Sequence, residues 1–423
     1  MSAKENGASR AVILGGLSGN IMEWYDFAVY GYFAPIISQQ FFPSDNPTTS
    51  LIATFGAFAA GFLVRPLGGI LFGHMGDRVG RKFVMILSGI LMAVPSFLIG
   101  VLPTYSQIGI WAAVLLIIMR IVQGLSVGGE YTTSIIFLAE HAKKDARGFM
   151  ASWSSVGAVA GALLGSAVGA FFSTIMSDPA LHAWGWRLAF MLSIIVGGLA
   201  MYLSKKVPEV SVDYEDKKEF EGTPILAALR TQKAAMLRVI GIVLAYSVGY
   251  YLVFLYITTF LIDIVKIPAS EALDINTISM VVLMCLLPVM AKLSDKFGRK
   301  PVLISASLGL LLLSYPMFWM MHHHHVMIIL SGQLGFAVFI AAFAGTNPIT
   351  MVEAFPSHLR CSAMSFAFNI CFAIFGGTTP MMAAYLIERT HDDLSIAFLM
   401  MGAALLSLIA LLAHPETARK KLH

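Results

Sequence analysis

The stretch GHMGDRVGRK (73–82) returns as AKLSDKFGRK (291–300). Both read G/A-x-x-x-D-R/K-x-G-R-K, each sits between two long apolar runs, and the second starts 218 positions after the first (291 − 73). One charged motif used twice at half-chain spacing predicts two related membrane halves, which suits a transporter better than a channel or a membrane enzyme. Two further echoes keep the same order. Glu140 and Arg147 are answered by Glu353 and Arg360 at an offset of 213 (353 − 140), and Pro208-Glu209 by Pro415-Glu416 at 207 (415 − 208).

Composition points the same way. Hydrophobic residues make up 57% of the 423 and charged residues 12%, against roughly 45–50% and 25% in soluble domains. A chain this apolar requires lipid around most of its length. The net charge of +4 is small and no basic arm stands out, so a nucleic-acid partner is not expected. Cys285, Cys361 and Cys371 are an odd set of thiols in or beside apolar runs, which argues against a disulfide framework. The polar start MSAKENGASR leads into an apolar segment of full spanning length rather than a cleavable signal.

Spans of about 20 apolar residues are predicted at 11–39, 51–75, 82–103, 107–139, 148–176, 185–204, 236–265, 272–292, 301–321, 326–354, 360–387 and 394–413. In lipid each backbone polar group must be satisfied within its own segment, so these twelve are helices and the fold class is all-α. Residues 1–204 form one six-helix half and 236–423 the other. The hydrophilic stretch 205–235 is the linker, a solvated loop with an amphipathic surface helix. With both termini inside, 23 of the 28 Lys and Arg residues face the cytoplasm and only Arg187, Lys266 and Arg389 lie outside, the bias expected of a bacterial inner-membrane protein.

Arg120 stands near the middle of the fourth span, where a charge must face a cavity or a partner. Arg120, Gln123, Glu130 and Tyr131 share one broad helix face. A guanidinium there suits a carboxylate because its planar fork donates two parallel hydrogen bonds; a structural pair with an acid of another helix is the alternative. Glu23 and Asp26 lie three apart on the first span. Their mutual repulsion and burial both favour a protonated carboxyl, so one acid is the proton site, with Asp26 ranked ahead of Glu23 and Glu130. The alternative is that one acid permanently neutralises Arg120 or Arg65. Arg65 itself reads as structural.

Trp24, Tyr30, Trp153, Tyr246 and Tyr250 could line a cavity for an amine through cation–π attraction, with Asn347 and Asn369 as polar contributions of the second half. Gly157, Gly161, Gly165 and Gly169 leave a smooth helix face for close packing. His322 to His325 read as an interfacial loop rather than a metal site. No nucleophile–base set, metal motif or ATP-binding motif is evident, so neither an enzyme nor a cofactor is expected and a gradient must supply the energy.

The segments GNIMEWYDFAVYGY (19–32), FLVRPLGGILFGHMGDRVGRK (62–82) and RIVQGLSVGGEYTTSIIFLAEH (120–141) resemble the major facilitator superfamily, and within it the metabolite:proton symporter branch. That branch includes carriers of proline and betaine, 2-oxoglutarate, citrate and shikimate; the first and third segments most resemble the proline/betaine carriers. The resemblance implies a latch of Asp77, Arg81, Glu140 and Arg147, with Arg78 beside it, and a counterpart of Asp295, Arg299, Glu353 and Arg360. Osmosensing carriers of this type bear a C-terminal coiled-coil extension, whereas this sequence ends at HPETARKKLH, an expectation against osmosensing. One midplane arginine matches one carboxylate, so the expected cargo is a small zwitterion or monocarboxylate moved with a proton by a monomer. A di- or tricarboxylate using Arg65 as well is the second reading, and a membrane receptor that binds without transporting is the third.

Overall fold

The computed structural model describes residues 3–45, 47–205, 224–418, 420 and 422, and among these it is all helix, turn and loop. Its long helical segments are α1 (Ala3–Phe41), α2 (Pro47–Arg78), α3 (Arg81–Val101), α4 (Ile110–Glu140) and α5 (Arg147–Ile175). They continue as α6 (Asp178–Lys205), α7 (Lys233–Asp263), α8 (Ala269–Phe297), α9 (Arg299–Met321), α10 (Val326–Glu353), α11 (Ser357–Thr390) and α12 (Ser395–Leu412). Eleven helices among the described residues are long and apolar enough to cross a membrane. The first helix is not among them, and it carries Asn20, Glu23 and Asp26 within its 39 residues. Outward positions are apolar, as at Leu63, Leu237 and Leu312, as on helices that cross a membrane. Most of the predicted linker, 206–223, lies outside the described residues; its end forms the short helix Pro224–Thr231.

The chain divides into two compact units, Met1–His141 with Val156–Ile225, and Ala142–Ser155 with Leu226–His423. In the first, α4 packs on α2 and α3, and α6 packs on α1 and α3; in the second, α10 packs on α8 and α9, and α12 on α7 and α9. The helix pairings therefore repeat at an interval of six helices, as the motif echo predicts. The motif glycines explain themselves: Gly80 (φ 127°) and Gly298 (φ 105°) precede α3 and α9 in a backbone region that side-chain-bearing residues rarely adopt.

Close approach sets the register of the first unit. A Cβ on Gly124 would overlap the Gly61 carbonyl, and one on Gly128 the Arg65 carbonyl, so α2 and α4 meet backbone to backbone. Gly157, Gly161 and Gly165 lie against the carbonyls of Leu17, Ile21 and Tyr25, and Gly169 against the Tyr32 ring, seating α5 along α1. In the second unit, α7 contains a π-type turn at Tyr251–Tyr256. The Val253 and Phe254 carbonyls accept hydrogen bonds there from Gln333 Nε2 (3.0 Å) and Asn276 Nδ2 (3.2 Å). Side-chain amides thus stand in for the backbone partners such a turn displaces.

His414, just beyond α12, is 4% exposed and neither ring nitrogen has a hydrogen-bond partner among the described residues. Burial, and then the positive charges of Arg238 and Lys300, push it down from 6.5 to about 4. The unfolded chain takes up that proton more readily, so its contribution to stability is complete above pH 6.5 and is lost as pH falls toward 4. Melting curves of wild type should therefore show a loss in this window that His414→Gln reduces; an unchanged acid slope in the variant removes His414 from that role.

Candidate functional site

Antiparallel packing of α1 on α4 brings the sequence-predicted polar residues of the first unit together. Arg120 and Asp26 are 2% and 1% exposed, and Arg120 Nη1 donates to Asp26 Oδ2 at 2.5 Å. Asp26 Oδ1 also accepts from Gln123 Nε2 at 3.0 Å and from the Ser96 hydroxyl at 2.6 Å. Gln123 Nε2 in turn lies 2.7 Å from Ser96 Oγ. The Tyr30 ring packs under the guanidinium, 3.7 Å from its central carbon, and the Tyr30 hydroxyl donates to the Thr54 carbonyl at 2.9 Å. Stacking on Phe58, with ring centroids 5.6 Å apart, holds Tyr30 in place.

Arg120 is thus paired on one side only. Its Nε and Nη2 groups are buried with no hydrogen-bond partner among the described residues. These two N–H groups form the edge of the guanidinium that grips a carboxylate through two parallel bonds. A buried polar group left without a partner is costly, and this edge of the guanidinium has a hydrogen-bonding capacity that no described residue uses.

Arg65 is held differently. Its Nη2 lies 3.9 Å from Glu23 Oε1, and its guanidinium packs over the rings of Phe62 (3.9 Å) and Phe27 (5.0 Å). Arg65 thus has an acid near it and an aromatic seat, while its own Nε and Nη2 groups also lack a hydrogen-bond partner among the described residues.

The remaining candidates divide between the units. Trp24 is half-buried with its ring edge-on to Phe27 at 6.0 Å, and Tyr131 is buried on α4. In the second unit Tyr246 and Tyr250 are buried with ring centroids 6.1 Å apart, and Tyr246 also meets Phe372 at 5.7 Å. Asn347 is 1% exposed and neither atom of its amide has a hydrogen-bond partner among the described residues. Asn369 instead turns back to the Ser365 carbonyl at 2.8 Å. Trp153 packs on Phe149 at 5.9 Å, and its indole N–H has no hydrogen-bond partner among the described residues.

Both charged motifs build the same arrangement. Arg81 lies 3.8 Å from Asp77 and 3.4 Å from Glu140, and donates to the Gly76 carbonyl at 2.8 Å, while Arg78 is exposed. Arg299 donates to Asp295 at 2.7 Å and to Glu353 through two bonds of 3.1 and 3.2 Å. In the second unit Asp295 also accepts the backbone N–H groups of Gly148 and Phe149, both at 2.9 Å, at the start of α5, where a negative charge complements the helix dipole. Arg147 belongs to that unit and donates to the Lys420 carbonyl at 3.0 Å. Arg360 donates to the carbonyls of Val352 and Phe355. Glu416, from the echoed Pro-Glu pair, accepts the Arg299 and Lys300 amides at 3.1 and 3.0 Å and so caps α9. These backbone bonds hold its carboxyl below its ordinary value, against the opposing effect of burial.

Ser96 was not legible as a site residue. A lone serine on an apolar helix carries no signal until α3 is laid beside α1 and α4. In the run His322 to His325, His322 Nε2 lies 2.9 Å from Asp393 Oδ2, and no group of three ligand-type residues converges among the described residues.

Two internally paired helical units with a buried, half-satisfied arginine define a membrane transporter rather than an enzyme. The chain belongs to the major facilitator superfamily, whose family description matches residues 16–380 and 240–422. The glycine betaine/proline/ectoine/pipecolic acid transporter OusA of Dickeya dadantii is 36% identical over 429 aligned residues, covering 99% of this chain and 85% of that protein. The proline/betaine transporter of Salmonella typhimurium is also 36% identical, covering 99% of this chain and 86% of that one. Among solved structures, the proton:xylose symporter XylE superimposes with a TM-score of 0.82 at 19% identity, covering 99% of this chain and 98% of XylE. FucP in its outward conformation gives 0.70 at 15% identity over 96% of this chain and 98% of that one.

Proposed function

We propose that this chain is a monomeric, proton-coupled symporter that imports a small zwitterion of the amino-acid or betaine type across the bacterial inner membrane. It does so by alternating access of its two halves, 1–204 and 236–423, with twelve spans and both termini in the cytoplasm. The carrying observation is Arg120, paired with Asp26 through Nη1 while its Nε and Nη2 groups stay unsatisfied. A substrate carboxylate takes that edge and competes with Asp26 for the guanidinium. Asp26, deprived of its counter-charge, then takes a proton, so substrate and proton bind together. Gln123 positions Asp26. Trp24, Tyr30, Tyr131 and Trp153 in the first half and Tyr246 and Tyr250 in the second are candidates to meet the ammonium group by cation–π attraction, with Asn347 and Asn369 as hydrogen-bonding candidates. Relatives named for proline and betaine carriage support this cargo. A dicarboxylate is less favoured, because these relatives are named for proline and betaine. The networks around Asp77 with Arg78, Arg81 and Glu140, and around Asp295 with Arg299 and Glu353, are the proposed gates, with Arg147 and Arg360 as further members.

Charge movement tests both cargo and coupling. A zwitterion carried with one proton moves one positive charge, worth ~2.3 kcal/mol per 100 mV, or roughly a 40-fold concentration ratio at ~1.4 kcal/mol per decade. In proteoliposomes an inside-negative potassium-diffusion potential without a pH gradient should therefore drive accumulation of labelled proline or glycine betaine. Uptake that follows a pH gradient but ignores voltage points to a monocarboxylate. Indifference to both gradients sinks the symport reading.

A further inference from the structure

The first unit holds another pair of buried acids, apart from the Arg120–Asp26 contact. Glu130 on α4 is 3% exposed, and neither carboxyl oxygen has a hydrogen-bond partner among the described residues. Room for that carboxyl is made by Gly19 on α1, where an added Cβ would overlap Glu130 Oε1. Glu23, one turn further along α1, is 2% exposed; its Oε1 lies 3.9 Å from Arg65 and its Oε2 has no hydrogen-bond partner among the described residues. Gly19, Glu23, Ser88, Met92, Ser126 and Glu130 line one narrow crevice, too tight to seat a water molecule.

Among the described residues, the groups that face this crevice come from α1, α2, α3 and α4. Arg65 from α2 balances Glu23. From α3 come Ser88 and Met92, and from α4 Ser126, none of them ionisable. The Ser88 hydroxyl donates to the Val84 carbonyl at 2.8 Å and the Ser126 hydroxyl to the Ser88 carbonyl at 2.7 Å, so both turn their protons away from Glu130. Asn20 on α1 gives its Nδ2 to Ser134. Among the described residues Glu130 thus has an acid beside it and no cation of its own, and a buried ionised carboxylate in that position is strongly disfavoured. A hydrated alkali ion does not fit where water does not. A proton fits, converts one oxygen into a donor, and removes the repulsion between two carboxylates.

We propose that Glu130 and Glu23 form a proton-binding site of their own: one proton resides on Glu130 while Glu23 stays ionised against Arg65. The site takes its proton from solvent and returns it there, with no other bond made or broken. Losing the proton places two negative charges across a crevice between α1 and α4, so the packing of these helices responds to whether the site is loaded. This extends the symport reading by a second proton, but the binding itself does not depend on transport.

Infrared difference spectra of the purified full-length protein, acid minus alkaline, test it. Wild type should show the carbonyl band of a neutral carboxyl that shifts in heavy water. Glu130→Gln should remove that band and Asp26→Asn should leave it. Gly19→Ala, which displaces the Glu130 carboxyl, should shift or remove it. Should Glu130→Gln fail to fold, Glu23→Gln decides, because it frees Arg65 to pair with Glu130 and should abolish the neutral band. A band that survives in the Glu130 variant or in the Glu23 variant, or that disappears only with Asp26→Asn, overturns the proposal. A protein that shows the Glu130 band but carries no proline or betaine overturns the transport reading and leaves this one standing.

Discussion

Arg120→Lys should lose most substrate binding while remaining folded. Lysine keeps a positive charge for Asp26, so no buried carboxylate is orphaned, and an ammonium can still sit on the Tyr30 ring. What it lacks is the Nε/Nη2 edge, the two N–H groups with no hydrogen-bond partner among the described residues. Hydrogen bonds to charged groups contribute about 1.5–3 kcal/mol each; an ammonium can keep one of the two bonds, so losing the other should weaken binding about 10- to 100-fold. Equilibrium binding of labelled proline or betaine to detergent-purified protein, alongside a melting curve, reads both quantities. Arg120→Ala should behave differently: it strands Asp26 without a cation, and breaking a buried pair on one side costs about 3–5 kcal/mol of stability. Undiminished binding by a stable Arg120→Lys protein would take Arg120 out of the carboxylate role.

Asp26→Asn should abolish accumulation against a gradient while sparing counterflow exchange. Asparagine matches the shape of aspartate and keeps an oxygen able to accept from Gln123 and Ser96, which lie 3.0 and 2.6 Å from Oδ1. It cannot take up and release a proton. Arg120, no longer neutralised, should hold a substrate carboxylate at least as tightly as before, so KM for exchange should not rise. Exchange moves no net proton and therefore persists. Gradient-driven accumulation by Asp26→Asn at wild-type levels would transfer the coupling role elsewhere, and the Glu23–Glu130 crevice is the next place to look.

Much of the architecture was legible without coordinates. Lipid obliges each span to satisfy its own backbone, so apolar length alone locates a helix, and the helices overlie the predicted spans to within a few residues at most ends. The departures have local causes. α6 begins seven residues before the predicted 185 because Asp178–Gly185 is already coiled through a π-type turn, a feature with little hydropathic signature. Residues 142–155 join the second compact unit, where Asp295 binds the amides of Gly148 and Phe149, a partnership no local pattern announces.

Sequence by itself determined the all-helical class, the repeat of the charged motif, and the list of acids and bases that cannot face lipid. It did so because those properties follow from local composition and spacing: the lipid requirement, the repeated spacing of charged residues, and the four-residue glycine stripe of α5. Tertiary structure alone decided which charge meets which. Glu23 and Asp26 lie three apart on one helix, only ~60° around its axis, and either could in principle have met either arginine. The glycine contacts that press α2 onto α4, at Gly61 with Gly124 and at Arg65 with Gly128, act together with those that seat α1 on α4, at Gly16 with Leu138 and at Gly19 with Glu130. They place Arg65 beside Glu23, Arg120 beside Asp26, and leave Glu130 facing a crevice without a cation. A one-dimensional pattern carries each residue's period along its own helix. The relative rotation and depth of neighbouring helices come from interlocking side chains over many residues, and the chemistry of this site is set there.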